Sequence, residues 1–166
     1  AIENTGHLYW FSESVNSGLT TIKGVLVDDI VVNDSVLDSN SSLISTNLRV
    51  WNPIGPSENT YAGTFDGNGH TVSGLYFNNK NASYVGLFGY TNGATIKKVG
   101  VVDSYFRGEQ YVGGIAGRLY NGSTISDCYN AGKITRSRNY INNGGVCGVV
   151  ESNCSISNSY NVGAVN

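Results

Sequence analysis

The chain repeats a glycine-bounded tetrapeptide three times in its second half. In each copy two apolar or small residues separate two glycines, and the copies occupy residues 86–89, 114–117 and 145–148. A short polar turn and then an isoleucine follow each copy; these isoleucines are Ile96, Ile125 and Ile156. A degenerate copy precedes them and aligns Val72 with the isoleucines. The aligned isoleucines are 29 and 31 residues apart. Repeats at this spacing are typical of a solenoid, in which one coil cannot bury its apolar face alone.

Alignment on the isoleucines separates apolar from polar positions. The position three residues later is largely apolar and holds Leu75, Val99, Cys128 and Ser159. The position directly after the isoleucine is polar and holds Ser73, Lys97, Ser126 and Ser157. Strands with one buried face require this separation, so the aligned residues are expected to stack in columns along the solenoid.

The pattern predicts an all-β fold, a parallel β-helix of roughly four repeat coils with a short N-terminal capping helix. Leu8, Phe11 and Val15 have helical spacing within residues 5–16, with Thr5 as the expected N-cap. A β-branched strand is predicted over 24–32 and a surface loop over 33–47.

We divide the chain into an N-terminal cap at 1–60 and repeats at 61–166, which together form one structural domain. The chain contains no methionine, even at position 1, and the repeat pattern continues to its last residues. These two features lead us to expect that it is part of a longer protein.

The composition excludes several classes of function. Only 13% of the 166 residues are charged and the net charge is −2, so no basic surface for nucleic acid or an anionic membrane is expected. No apolar run approaches the roughly 18 residues of a membrane-spanning helix, so no membrane insertion is expected. Three cysteines cannot form a complete set of intramolecular disulfides. Cys128 is expected to point inward as a small apolar residue.

Several segments resemble the GLUG-repeat family. The matching segments are 51–55, 63–75, 85–89, 112–117 and 128–132. The resemblance implies a secreted or surface-anchored bacterial protein, because such repeats occur in adhesin-like proteins and in the N-terminal regions of M26 IgA-cleaving peptidases. It says little about chemistry, since the matched residues are turn glycines and core apolar residues.

The acidic and histidine residues form no pattern expected of a catalytic site. Asp66, Asp103 and Asp127 have different offsets from the aligned isoleucine, so they should not stack into an acid pair. His7 and His70 lack zinc-ligand spacing, and His70 is interpreted as a turn residue that bonds nearby backbone. We therefore predict no catalytic residue, no metal site and no cofactor.

One group of oxygen-bearing side chains leaves two alternatives open. Its members are Asp28, Asp29, Asn33, Asp34 and Asp38. Their spacing is not that of an EF-hand loop, so a solvated acidic loop is favoured over a calcium site.

Tyrosines are the remaining candidates for binding. Tyr84, Tyr111 and Tyr140 begin successive coils and are expected to align along one edge. Exposed aromatic rows bind sugar faces or protein partners, but tyrosines at this position can also simply cover the coil edge. Tyr129 and Tyr160 share a column and are interpreted as a structural ladder.

The sequence therefore predicts a noncatalytic β-helical repeat module of an extracellular protein, either secreted or at the bacterial cell surface. It would act as an adhesive or spacer domain. The expected partners are a glycan or host surface protein and the flanking domains of the same polypeptide. The alternative is an accessory substrate-recognition or carbohydrate-binding region of a secreted hydrolase such as an M26-like peptidase.

Overall fold

The computed structural model describes residues 1–137 and 142–166. Within these ranges the chain forms one helix, α1 at Thr5–Asn16, and many short strands. The strands are β1 Gly24–Val25, β2 Ile30–Val31, β3 Thr64–Asp66, β4 Thr71–Ser73, β5 Tyr76–Asn78, β6 Ser83–Val85, β7 Phe88–Asn92, β8 Thr95–Lys97, β9 Gly100–Val102, β10 Tyr105–Gly108, β11 Gln110–Val112, β12 Ala116–Tyr120, β13 Thr124–Ser126, β14 Tyr129–Asn130, β15 Lys133–Arg136, β16 Cys147–Val150, β17 Ser155–Ser157 and β18 Tyr160–Asn161.

The strands stack into parallel sheets that run along a solenoid axis. Two sheets have five strands, in the orders β1-β3-β8-β13-β17 and β2-β4-β9-β14-β18. The other described sheets have the orders β5-β10-β15, β7-β12-β16 and β6-β11. This confirms the all-β parallel β-helix with its short helix. The solenoid makes about three turns, slightly fewer than the predicted four, because the first and last coils supply strands to only some of the sheets.

The column of paired residues that contains the aligned isoleucines, here called the central column, differs from the predicted column at its first position. Phe65, rather than Val72, pairs with Ile96, and the column continues through Ile125 to Ile156. Val72 instead pairs with Val101 in the neighbouring sheet. The predicted position was wrong because the Asn68-Gly69 pair follows β3, whereas the Asn-Gly pairs at 92–93 and 121–122 precede β8 and β13.

Helix α1 covers the N-terminal end of the core. Leu8, Phe11 and Val15 are buried, as their spacing predicted. The N-cap is Asn4 rather than Thr5, because the Asn4 side chain accepts a hydrogen bond from the His7 amide. The Phe11 ring packs edge-on against the Phe65 ring, with the ring centroids 5.6 Å apart. This contact joins the helix to the central column.

Of the two segments after the helix, the first departs from its prediction and the second is the predicted surface loop. The expected strand at 24–32 is two short strands, β1 and β2, separated by a turn. The loop at 33–47 lies on the surface but has its own apolar contacts, since Val36 packs with Tyr76 and Tyr105. Asp103 anchors it by accepting hydrogen bonds from the Val36 and Leu37 amides at 3.0 and 2.8 Å.

The three cysteines are free thiols. Cys128 is buried in the main core, as its column predicted. Burial raises its pKa to about 11, so the thiol is un-ionised at neutral pH.

The same isoleucine-to-alanine substitution should destabilise the protein by different amounts at two positions of the central column. Ile125→Ala should lower the free energy of unfolding by about 2–5 kcal/mol, because Ile125 is fully buried between two rungs. Ile156→Ala, in the same column, should cost less than half as much, since Ile156 is 37% exposed. Urea denaturation of both variants measures the difference, and equal losses would contradict the assigned column.

Candidate functional site

Tyr84 and Tyr111 occupy equivalent positions on consecutive coils. They are the central residues of β6 and β11, which pair in parallel. Both have left-handed backbone, with φ of 63° and 57°, a conformation that bulky residues rarely adopt. Their rings stack with centroids 5.1 Å apart and planes within 7°. Tyr140, the third predicted member of this row, lies outside the described residues.

Tyr90 in β7 extends this stack. Its ring lies 4.9 Å from the Tyr84 ring at an interplanar angle of 19°. Tyr84 therefore stacks against two rings. The row that the sequence predicted is thus part of a larger group of aromatic side chains.

Arg118 in β12 holds the group together. Its guanidinium carbon lies 4.8 Å from the Tyr90 ring centroid, 5.7 Å from that of Tyr111 and 5.8 Å from that of Tyr120. The same guanidinium forms a hydrogen-bonded ion pair with Glu151. Burial acts to lower the pKa of Arg118, but the interactions with Glu151, Tyr90 and Tyr84 together outweigh burial and hold the pKa above its usual value. We call this group the tyrosine–arginine cluster; its six members are Tyr84, Tyr90, Tyr111, Arg118, Tyr120 and Glu151.

The repeat contains a signal for Arg118 that the sequence analysis did not use. Counted from the first glycine of each tetrapeptide, Tyr90, Arg118 and Val149 have the same offset, and they pair across β7, β12 and β16. An arginine directly above a tyrosine in one column favours a cation–π contact. The sequence analysis aligned the tyrosines that begin each coil and left this column out.

The tyrosines of the cluster are partly exposed and contact one another. Tyr84 stacks against Tyr90 and Tyr111, and Tyr90 is also contacted by Arg118. Tyr120 is 42% exposed and meets Tyr90 edge-on at 6.2 Å. Such a surface is better suited to hydrogen bonds with a partner than to stacking under a sugar ring.

A second tyrosine pair forms the ladder that the sequence predicted. The rings of Tyr129 and Tyr160 stack at 5.3 Å with planes within 6°. Beside them, the buried Asn130 side chain donates a hydrogen bond of 2.8 Å to the Asn161 side-chain oxygen. These contacts between identical residues on successive rungs stabilise the last coils.

The structure keeps the candidate acids and histidine apart. Asp66 forms an ion pair with Lys97 at 3.2 Å, whereas Asp103 bonds the 33–47 loop. His70 bonds the Asp29 carboxylate at 3.3 Å, so the prediction that it bonds nearby backbone was wrong. The Thr71 amide is the main cause of a lowered pKa at Asp29.

The alternative of a calcium site in the acidic segment gains no support. Asp38 accepts hydrogen bonds from the Asn40 and Ser42 amides of its own loop, both at 2.8 Å. In residues 1–137 and 142–166 no group of three or more His, Cys, Asp or Glu side chains could hold a metal ion.

A known repeat motif matches part of the chain. The GLUG motif matches residues 108–135, which run from the end of β10 into β15. The chain carries a GLUG motif. This match confirms the family resemblance that the sequence pattern indicated. The matched segment includes Tyr111, Arg118 and Tyr120 of the tyrosine–arginine cluster.

A curated relative carries a similar segment. A protein of Evansella cellulosilytica described as a Gly-rich membrane protein is 41% identical over 39 residues. The aligned segment is 24% of this chain and 4% of that protein, so the chain spans a small part of the relative's length. No solved structure matches the chain.

Across residues 1–137 and 142–166, α1 included, no helix has the length and apolar character needed to cross a bilayer.

The cluster predicts a specific stabilising role for Arg118. Arg118→Gln removes the cation from three tyrosine rings and leaves Glu151 without its partner, so it should cost about 1–2 kcal/mol of unfolding free energy. Arg49→Gln is the matched control, because Arg49 is exposed and lies over the single ring of Tyr9 at 5.3 Å. Thermal denaturation compares the variants, and an equal loss in both would contradict the central role of Arg118.

Proposed function

We propose that the chain is a noncatalytic repeat module of a bacterial cell-surface or secreted protein. In this proposal the β-solenoid is a rigid support, and the tyrosine–arginine cluster is the surface that meets a partner. The partner is a host surface protein that hydrogen-bonds to the tyrosine edges, and a glycan is the second class to be tested.

The observation that carries the proposal is the left-handed backbone at Tyr84 and Tyr111. A non-glycine residue in this region costs about 1 kcal/mol or more, and such strain is often concentrated at binding sites. Both tyrosines bear this cost on equivalent strands, and the result is a parallel pair of rings at the surface. The conformation is therefore repeated together with the side chain.

The noncatalytic part of the proposal rests on how the acids are used. Asp66 pairs with Lys97, Asp29 bonds His70 and the Thr71 amide, and Asp103 bonds two loop amides. A glycosidase needs two carboxyl groups about 5–9.5 Å apart across one sugar-binding cleft. These carboxylates instead hold turns and loops, each at its own place on the solenoid.

The proposed location rests on the family and on the relative. GLUG repeats occur in surface or secreted bacterial proteins, and the aligned relative is described as a membrane protein. Because the chain covers little of that relative, its anchoring and its whole activity remain outside the proposal for this chain.

Binding measurements on a double variant test the proposal. The fragment should bind saturably to at least one member of an array of extracellular matrix proteins, mucosal proteins and glycans. Tyr84→Phe combined with Tyr111→Phe keeps both rings but removes two hydroxyl groups. Binding should weaken by about tenfold, the loss expected for one or two hydrogen bonds.

The control is Tyr160→Phe, which removes the hydroxyl group of an exposed tyrosine outside the cluster. It should bind as the unmodified chain does, and all variants should keep the same melting temperature. Absence of binding across the whole array would favour a spacer role and overturn the proposed binding surface.

A further inference from the structure

A second concave surface lies on the outside of the solenoid, away from the tyrosine–arginine cluster. It is an open depression of about 330 Å³, at the lower end of the range for small-molecule sites. Its residues come from three consecutive coils, at the corner between the two five-stranded sheets. They are Asn68, Gly69, Lys98, Val99, Gly100, Asp127 and Tyr129.

The tyrosine ladder ends beside this depression, at Gly100. Gly100 pairs with Tyr129, which in turn pairs with Tyr160, so these three residues share one column. The Tyr129 side chain leans over Gly100 so closely that a Cβ at Gly100 would collide with the phenol ring and its hydroxyl. The Tyr129 ring therefore occupies the space above Gly100, and from there it forms one wall of the depression.

The floor next to this wall is also open. Gly69 has φ of 86°, and a Cβ built there would meet nothing within 4 Å. Its amide donates a hydrogen bond to the Lys98 carbonyl at 3.0 Å, so the backbone of the floor is fixed to the next coil. The site thus combines a rigid floor with an aromatic wall.

Two side chains of opposite charge line the depression. Lys98 and Asp127 occupy equivalent corners of consecutive coils, both with left-handed backbone at φ of 53° and 54°. Neither belongs to the ion pairs found in residues 1–137 and 142–166. The lining of the depression therefore includes an ammonium donor and a carboxylate acceptor, and Asn68 adds an amide that can both donate and accept.

Charges of both signs surround the depression. Lys97 is paired with Asp66 at 3.2 Å, and His70 bonds Asp29 at 3.3 Å. Burial raises the pKa of Tyr129, and Tyr160 and the Asp29 carboxylate add to this shift, so a negative charge acts on the aromatic wall and disfavours an anionic ligand. The ligand chemistry that matches is a ring with several hydroxyl groups, each of which donates and accepts hydrogen bonds.

We infer that this depression binds a neutral pyranose sugar. The Tyr129 side chain contacts the apolar edge of the sugar, Asp127 accepts hydrogen bonds from its hydroxyl groups, and Lys98 and Asn68 donate to its oxygens. The site is separate from the tyrosine–arginine cluster, and sugar binding here does not depend on a partner there.

Backbone amide NMR on the ¹⁵N-labelled chain tests the inference. The probes are the methyl glycosides of glucose, galactose, mannose and N-acetylglucosamine, each titrated to tens of millimolar. At least one should shift the Gly69, Lys98, Gly100 and Asp127 amides saturably. Asp127→Asn should weaken that binding by about tenfold, because it removes a charged acceptor while asparagine tolerates the left-handed backbone. The same substitution at the exposed Asp34 is the matched control and should leave the affinity unchanged.

Three outcomes would overturn the inference. They are the absence of shifts at these amides with all four glycosides, equal binding by the Asp127→Asn variant, and binding of only glucuronate or glucosamine. The Tyr84→Phe and Tyr111→Phe double variant should keep the sugar-induced shifts. This result separates the sugar site from the proposed function, because loss of partner binding in the double variant leaves the depression intact.

Discussion

The structure depends on the parallel pairing of equivalent strands around one column of buried apolar side chains. Phe65, Ile96 and Ile125 are fully buried, and each is paired through its backbone with the residue on the next coil. Burial of one such side chain contributes about 1.5–3 kcal/mol relative to exposure. A single coil cannot gain this burial energy, because its apolar side chains are shielded from water only where another coil packs above or below them.

The same pairing decides what appears on the surface. Rungs about 4.8 Å apart bring residues at equal positions within contact distance, so the residue types in one column decide which side chains meet. Tyr84 over Tyr111 gives a stacked pair, whereas the Tyr129 ring leans over the glycine of the preceding rung and lines a depression. The candidate surfaces are therefore consequences of register, and a change of one residue in a turn would move them.

The sequence predicted the features that depend on period alone. The isoleucine column from Ile96 onward and the buried face of α1 follow from spacing, and both are confirmed. The first coil was misaligned because Asn68-Gly69 resembles the Asn-Gly pairs at 92–93 and 121–122, although it lies at a different corner of the coil. The cluster around Arg118 could not be derived from the tyrosines alone, since its members lie on different sheets and meet only after the chain has coiled.

Contacts across the rungs test this register most directly. Nuclear Overhauser effects between the backbone protons of Phe65 and Ile96, and between those of Ile96 and Ile125, are expected, since these residues pair in parallel. Val72 should instead show effects to Val101. Effects joining Val72 to Ile96, or their absence across all of these pairs, would contradict the stacked solenoid on which both candidate surfaces rest.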